Sequence, residues 1–355
     1  MSDEMLVAPF PWFGGKRRVA QLVWQRFGQV RNYIEPFFGS GAVLLGRPQP
    51  FDGVETVNDL DGFVANFWRA VQADPEAVAH HADWPANEND LHARHIWLVE
   101  RRDKLQTRLE GDAEFFDARI AGYWVWGMAL WIGGEFCSGN GPWQSVDVDG
   151  VRELVNVGNA GQGVERRRLH LSNAGQGVKR QTLHLGTSGQ DVKRQKLRST
   201  IDDKKTIEGL INYLSDLSSR FRRVRVSCGD WSRVCTPSIT THHGITAMLF
   251  DPPYSDDAQR HSRIYTRDDL SVAHDVRRWC IENGNDPSLR IALCGYEGEH
   301  QMPSTWSCVA WKAHGGYAAR NVDNMNSHRE RIWFSPHCLQ PDDAQPMLWE
   351  ERDER

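Results

Sequence analysis

Apolar and polar positions in the first 75 residues follow the order strand, glycine loop, helix, strand, acid. Val19, Leu22, Val23 and Phe27 recur at helical spacing after the turn-rich PFPWFGGK at 9–16. Asn32-Tyr33-Ile34-Glu35 reads as a short buried strand stopped by Pro36, and FFGSG leads into a helix opening at Ala42. Glu55–Asn58 is a second strand ending at Asp59, and Phe63–Val71 a second helix. This order predicts a Rossmann-like α/β unit. The same alternation resumes after residue 200: a helix over Ile207–Phe221, strands at Val224–Val226, Ala247–Phe250, Arg290–Leu293 and Arg331–Phe334, and a helix over Asp268–Ile281.

Between these halves the pattern changes. Leu91, Ile96, Leu98 and Leu105 predict one charged amphipathic helix from Asp90 to Leu109. Ala113–Ile132 is rich in Phe, Tyr and Trp and predicts a buried helix, closed by the glycines of GEFCSGNGPW. Residues 159–200 hold three similar strings, NAGQGVERRRLHLS, NAGQGVKRQTLHLG and TSGQDVKRQKLRST, a repeat of about 14 residues. Their Gly turns and alternating tails suit short strands or loops. A basic arm that lies on phosphates, formed by Arg166, Arg167, Arg168, Lys179, Arg180, Lys193 and Arg194, is one reading of this stretch; a low-complexity loop grown by duplication is the other.

Composition narrows the class without choosing within it. A net charge of −5 gives no global sign of a nucleic-acid binder. The 7 cysteines form no CxxC pair and no zinc-ligand spacing, so they read as reduced thiols and no metal is expected. The N-terminus carries acids where a signal peptide carries basic residues, and no apolar run reaches a span of about 18 residues. A cytoplasmic enzyme or binding protein is therefore expected.

The candidate chemistry sits where the strands end. Asp251-Pro252-Pro253-Tyr254 follows an apolar strand, so Asp251 is expected at the carboxyl edge of a sheet. A carboxylate beside a carbonyl that prolines hold in place can accept both hydrogens of an aromatic amine and stabilise positive charge on its nitrogen. Tyr254 offers a face on which a base can stack. Gly39 and Gly41 allow close approach of a ligand to the backbone, and the helix behind them can aim its N-terminus at charge. Asp59, 20 residues beyond Gly39, is placed to hold ribose hydroxyls or, alternatively, to cap the helix before Phe63. Lys16 suits the carboxylate of a ligand, and otherwise a solvated turn.

Taken in order, PWFGGK, YIEPFFGSGAV, VNDLD and LFDPPY resemble the motifs of the Dam-like family of DNA adenine methyltransferases. RIALCGYE and RERIWFSP resemble further segments of phage-borne members. The resemblance spans roughly residues 9–75 and 205–336. It implies an S-adenosylmethionine site built from Trp12, Lys16, Glu35, Phe37, Gly39, Gly41 and Asp59, with Asp230 either near the cofactor adenine or capping the next helix. It also implies that Asp251, the Pro252 carbonyl and Tyr254 hold a target adenine in double-stranded DNA, with direct methyl transfer and no metal.

The expected organisation is a catalytic domain over 1–75 and 201–340, a mainly helical target-recognition insertion over 76–200, and an acidic tail over 341–355. The location implied is the cytoplasm of a bacterial or phage-infected cell. Restriction-linked modification and self-protection are equally compatible with these motifs. Methylation of the 4-amino group of cytosine uses the same loop chemistry, and a catalytically silent DNA-binding protein of this fold is the alternative from another class.

Overall fold

In a computed structural model of the chain, the described residues are 6–10, 12, 16–131, 136–137, 143–148, 151–156, 203–253, 272–311 and 329–340. Nine strands run in chain order as β1 (Asn32–Glu35), β2 (Val54–Asp59), β3 (Trp143–Val148), β4 (Val151–Asn156), β5 (Val224–Cys228), β6 (Thr246–Phe250), β7 (Leu289–Tyr296), β8 (Ser307–Ala310) and β9 (Glu330–Phe334). The helices are α1 (Ala20–Phe27), α2 (Ala42–Leu45), α3 (Gly62–Ala73), α4 (Pro75–Ala82), α5 (Glu88–Val99), α6 (Arg102–Gly111), α7 (Ala118–Leu130), α8 (Asp203–Phe221), α9 (Pro237–Thr240) and α10 (Val272–Asn283).

Seven strands form one sheet in the order β5-β2-β1-β6-β7-β9-β8. Strands β5, β2, β1, β6 and β7 are mutually parallel, and β9 runs antiparallel between β7 and β8. The sequence order of the strands reverses between β1 and β6, which places the loops after these two strands side by side at the switch point. All five residues of β6 and all four of β1 are buried, as a central parallel strand covered on both faces requires. This mixed α/β architecture is a Rossmann-like methyltransferase fold, in line with the strand–loop–helix order of the sequence.

Helix α3 is buried from Gly62 to Val71, because it lies between the sheet and a second layer of helices. On its sheet side Trp68 stacks on Phe221 of α8 with ring centroids 4.4 Å apart. Two polar residues tie it to the layers on both sides. Asn66 exchanges hydrogen bonds with the backbone of Asp117, and Arg69 donates to the carbonyls of Val226, Leu109 and Asp112. Asp117 in turn caps α7 by accepting from Ile120 N at 2.8 Å.

Several expected boundaries shift. The single helix over Asp90–Leu109 is two, α5 and α6, broken at Glu100-Arg101. The chain turns there because α5 packs on α7 whereas α6 packs on α3. Arg101 closes the break by donating to the Trp97 carbonyl at 2.9 Å and covering the Trp97 ring at 3.9 Å. The aromatic helix begins at Ala118 rather than Ala113, since Asp112 and Asp117 hold a turn before it. Helix α4 was not foreseen, although Asp74 at its cap and Pro75 in its first turn are start signals. The antiparallel pair β3–β4 was also missed, despite an Asp149-Gly150 dipeptide between its strands. The first four residues of the expected 268–281 helix, the repeat at 159–200 and the 341–355 tail lie outside the described residues. Among the described residues, no helix is long and apolar enough to cross a membrane.

Candidate active site

The loop after β1 is fixed from three directions before any ligand is considered. Phe38 N donates to the Asn58 carbonyl at 3.0 Å, the Gly39 carbonyl accepts from Trp68 Nε1 at 2.9 Å, and Gly39 N donates to Asp59 Oδ2 at 2.8 Å. Gly39 and Gly41 take φ values of +50° and +69°, a region that L side chains rarely occupy. A Cβ on Gly39 would lie 2.3 Å from the indole nitrogen of Trp12, so glycine is what lets the N-terminal segment close over the loop. Helix α2 behind Gly41 is a single turn of 4 residues. The expected helix N-terminal charge site is therefore reduced to a turn, since so few peptide dipoles align there.

Asp59 is the hub of the neighbouring strand end. Its other carboxylate oxygen accepts from Asp61 N at 2.9 Å, and its carbonyl accepts from Gly229 N at 3.1 Å. The cap of α3 is Asp61, which accepts from Phe63 N at 2.8 Å, so the alternative reading of Asp59 as that cap is removed. Enclosure by the loops, with help from Asp61, pushes the Asp59 carboxyl up to about 7 against the pull of the Gly39, Asp61 and Phe38 N–H groups.

Asn58, which the sequence reading passed over, completes this frame. It is 1% exposed, and its amide donates to the Pro36 carbonyl at 3.1 Å and the Gly229 carbonyl at 2.9 Å. The loops after β1 and β5 are thus tied to the end of β2. The amide next to the acid that ends VETVND was the available signal.

Glu35 ends β1 and accepts from Tyr33 Oη at 2.8 Å. Burial pushes its carboxyl well above the ordinary range; the Tyr33 hydrogen bond pulls it back, and Asp251 and Asp59 add to the push. Phe37 stacks on Trp231 at 6.4 Å, and Trp231 leads on to Phe250 and Trp279, an apolar wall under the β6 end. Asp230 is exposed and accepts from Ser232 N at 2.9 Å and from the Ser232 hydroxyl. It caps the 3-10 turn Trp231–Val234, the second of its two readings.

Asp251 emerges from β6 beside the β1 loop, followed by the buried Pro252 and the half-buried Pro253. Its Oδ2 lies 2.9 Å from Lys16 Nζ. Lys16 is buried rather than solvated, and its ammonium meets a carboxylate of the chain itself. Tyr254 lies outside the described residues, as do Arg166, Arg167, Arg168, Lys179, Arg180, Lys193 and Arg194. Among the described residues, no group of His, Cys, Asp or Glu could hold a metal ion.

The topology and the pairing of a glycine loop with a carboxylate at the switch point define a Rossmann-like methyltransferase. Residues 12–118 match the model of the D12 class N6 adenine-specific DNA methyltransferase family, which indicates an adenine-specific DNA methyltransferase and bears out the Dam-like resemblance. The match takes in Trp12, Lys16, the glycine loop and Asp59, and ends before the loop that carries Asp251. Comparison with curated proteins finds none that matches the chain.

Proposed function

We propose that this enzyme transfers a methyl group from S-adenosylmethionine to the 6-amino group of an adenine rotated out of double-stranded DNA. The observation that carries the reading is the juxtaposition at the switch point of the Gly39 loop, Asp59 and Asp251. The residues fit the cofactor. A sulfonium and an ammonium suit the acids Glu35 and Asp59, ribose hydroxyls suit the Asp59 carboxylate, and the absence of a side chain at Gly39 lets the Trp12 indole close on the loop as a face for the ligand. When bound, S-adenosylmethionine supplies the electrophilic methyl group.

The chain's part is to hold an amine and favour charge on it. The Asp251 carboxylate accepts one amine hydrogen and the Pro252 carbonyl the other. The nitrogen lone pair is thereby drawn out of conjugation, and the developing positive charge is met by a fixed negative group. Phe37 and the Trp231 wall keep water from the β6 end. Rotating the base out costs a few kcal/mol before chemistry, and Tyr254 is the residue that would stack on it.

In this reading residues 76–200 are the target-recognition insertion and the basic 159–200 repeat rests on phosphates, within a protein that works in the cytoplasm. The test is transfer from labelled S-adenosylmethionine to unmethylated DNA, digested to nucleosides, beside Asp251→Ala. Label in N6-methyladenosine that disappears with the variant is expected. Label in N4-methylcytosine would reassign the base, and no label despite cofactor binding would remove DNA as the substrate.

A further inference from the structure

Lys16 reaches Asp251 from the far side of the cleft. It opens the 3-10 turn Lys16–Arg18, whose first carbonyl accepts from Val19 N, and the turn is anchored by α1, which buries Val23, Trp24 and Phe27 in the core. The Lys16 side chain is 6% exposed and that of Asp251 22%, so the contact is largely shielded from water. The Trp311 ring lies 5.4 Å from the ammonium.

The charged and titratable groups that face this contact come from three other strands. Glu35 stands at the end of β1; Cys294, which follows the β7 residue paired with Phe250, and Tyr296 lie on β7, and Glu330 opens β9. Burial alone would pull the Lys16 ammonium down. Asp251 first, then Cys294 and Glu330, outweigh it and hold Lys16 above the ordinary lysine range. Amine methylation needs an acceptor that does not rotate away from the amine, and an ammonium held on one carboxylate oxygen supplies that restraint.

We propose that Lys16 is a positioning residue for Asp251: it fixes one carboxylate oxygen and leaves the other to the target amine. This assignment rests on the methyl-transfer reading and differs from that of a simple cofactor contact, because it places the effect of Lys16 on the chemical step. It also links the N-terminal segment, which lies over the glycine loop through Trp12, to the catalytic loop through one ion pair.

Single-turnover transfer at saturating S-adenosylmethionine and DNA separates the two roles. Lys16→Met should lower the rate about a hundredfold, the scale of a misplaced catalytic group, while cofactor affinity by calorimetry changes little. Lys16→Arg, which keeps a cation beside the same carboxylate, should recover most of the lost rate. Weakened cofactor affinity with an unchanged saturated rate would overturn the proposal in favour of a cofactor contact. If the wild-type enzyme methylates no DNA, thermal melting of Lys16→Met, Asp251→Asn and the double variant still decides. A double variant more stable than the sum of the singles supports the pair, and strict additivity overturns it.

Discussion

In the helical layer of α4–α7, buried charge is covered by rings and backbone of the layer itself; at the carboxyl edge of the sheet, Glu35, Asp59 and Asp251 gather with Lys16 beside them. Arg94 is 8% exposed, yet its guanidinium lies over Trp84, Tyr123 and Trp126 at 5.0, 4.0 and 4.4 Å. His95 stacks on Trp131 at 5.0 Å, accepts the Cys137 N–H, and is pushed down to about 4 by burial, so it stays neutral. At the sheet edge, Glu35 and Asp59 are both pushed up, and the Lys16 ammonium sits on Asp251. A fold that stabilises only itself would not gather carboxyls in this way, whereas a site that receives a cationic ligand and develops positive charge on an amine would.

The comparison breaks most sharply at Asp251. Asp251→Asn keeps the shape and removes the charge; transfer to DNA should fall by about a thousandfold or more while cofactor binding persists. If the rate survives, the acid-rich edge is not the catalytic centre. The counterpart in the helical layer is Arg94→Met. Loss of a shielded guanidinium packed on rings should cost about 2–3 kcal/mol in urea unfolding, with the saturated rate intact well below the transition. A lowered rate at unchanged stability would make the layer part of the chemistry.

How much of this was legible depended on whether a local pattern or a tertiary contact decided the outcome. The β6–Asp251 junction was readable because a buried parallel strand is a short apolar run with a turn signal at its end, and β1 and the glycine loop because Pro36 and the glycines mark where the strand stops. The break at Glu100-Arg101 was not, because no glycine or proline marks it; the competing demands of α7 and α3 make it. Asn58 escaped notice because its carbonyl partners stand 22 and 171 residues away in sequence. Lys16 was singled out from its place after two glycines, but its Asp251 partner is 235 positions on, and only the switch point brings them together. Helix α4 and the β3–β4 hairpin are different: their Asp-Pro and Asp-Gly signals were present and unused.

Gly39 sharpens the contrast on the cofactor side. Gly39→Ala places a side chain at φ +50° and against the Trp12 indole at 2.3 Å. Left-handed backbone costs an alanine about 1–2 kcal/mol, and Trp12 must also give way. Cofactor affinity should fall by roughly tenfold or more, with far less effect on the rate once the site is filled. An unchanged dissociation constant would remove the loop from the cofactor site.

The subtlest test is a pH slope. The folded Asp59 carboxyl stands at about 7 against an ordinary value of 3.8, so between these values the folded chain holds a proton that the unfolded chain has released. Linkage then fixes the sign: the Asp59 contribution to stability is greatest below pH 3.8 and is lost as pH rises towards 7, by at most about 1.4 kcal/mol per pH unit. Binding should run the other way. If ribose hydroxyls donate to the ionised group, cofactor affinity should rise with pH until Asp59 is fully charged and level off above about 7. Asp59→Asn should flatten both slopes, which calorimetric titration and urea unfolding across that window would read. Opposite slopes that both vanish in Asp59→Asn would assign the raised carboxyl to ligand binding at a cost in stability. A stability slope that vanishes alone would leave Asp59 as part of the frame that holds the Gly39 loop and nothing more.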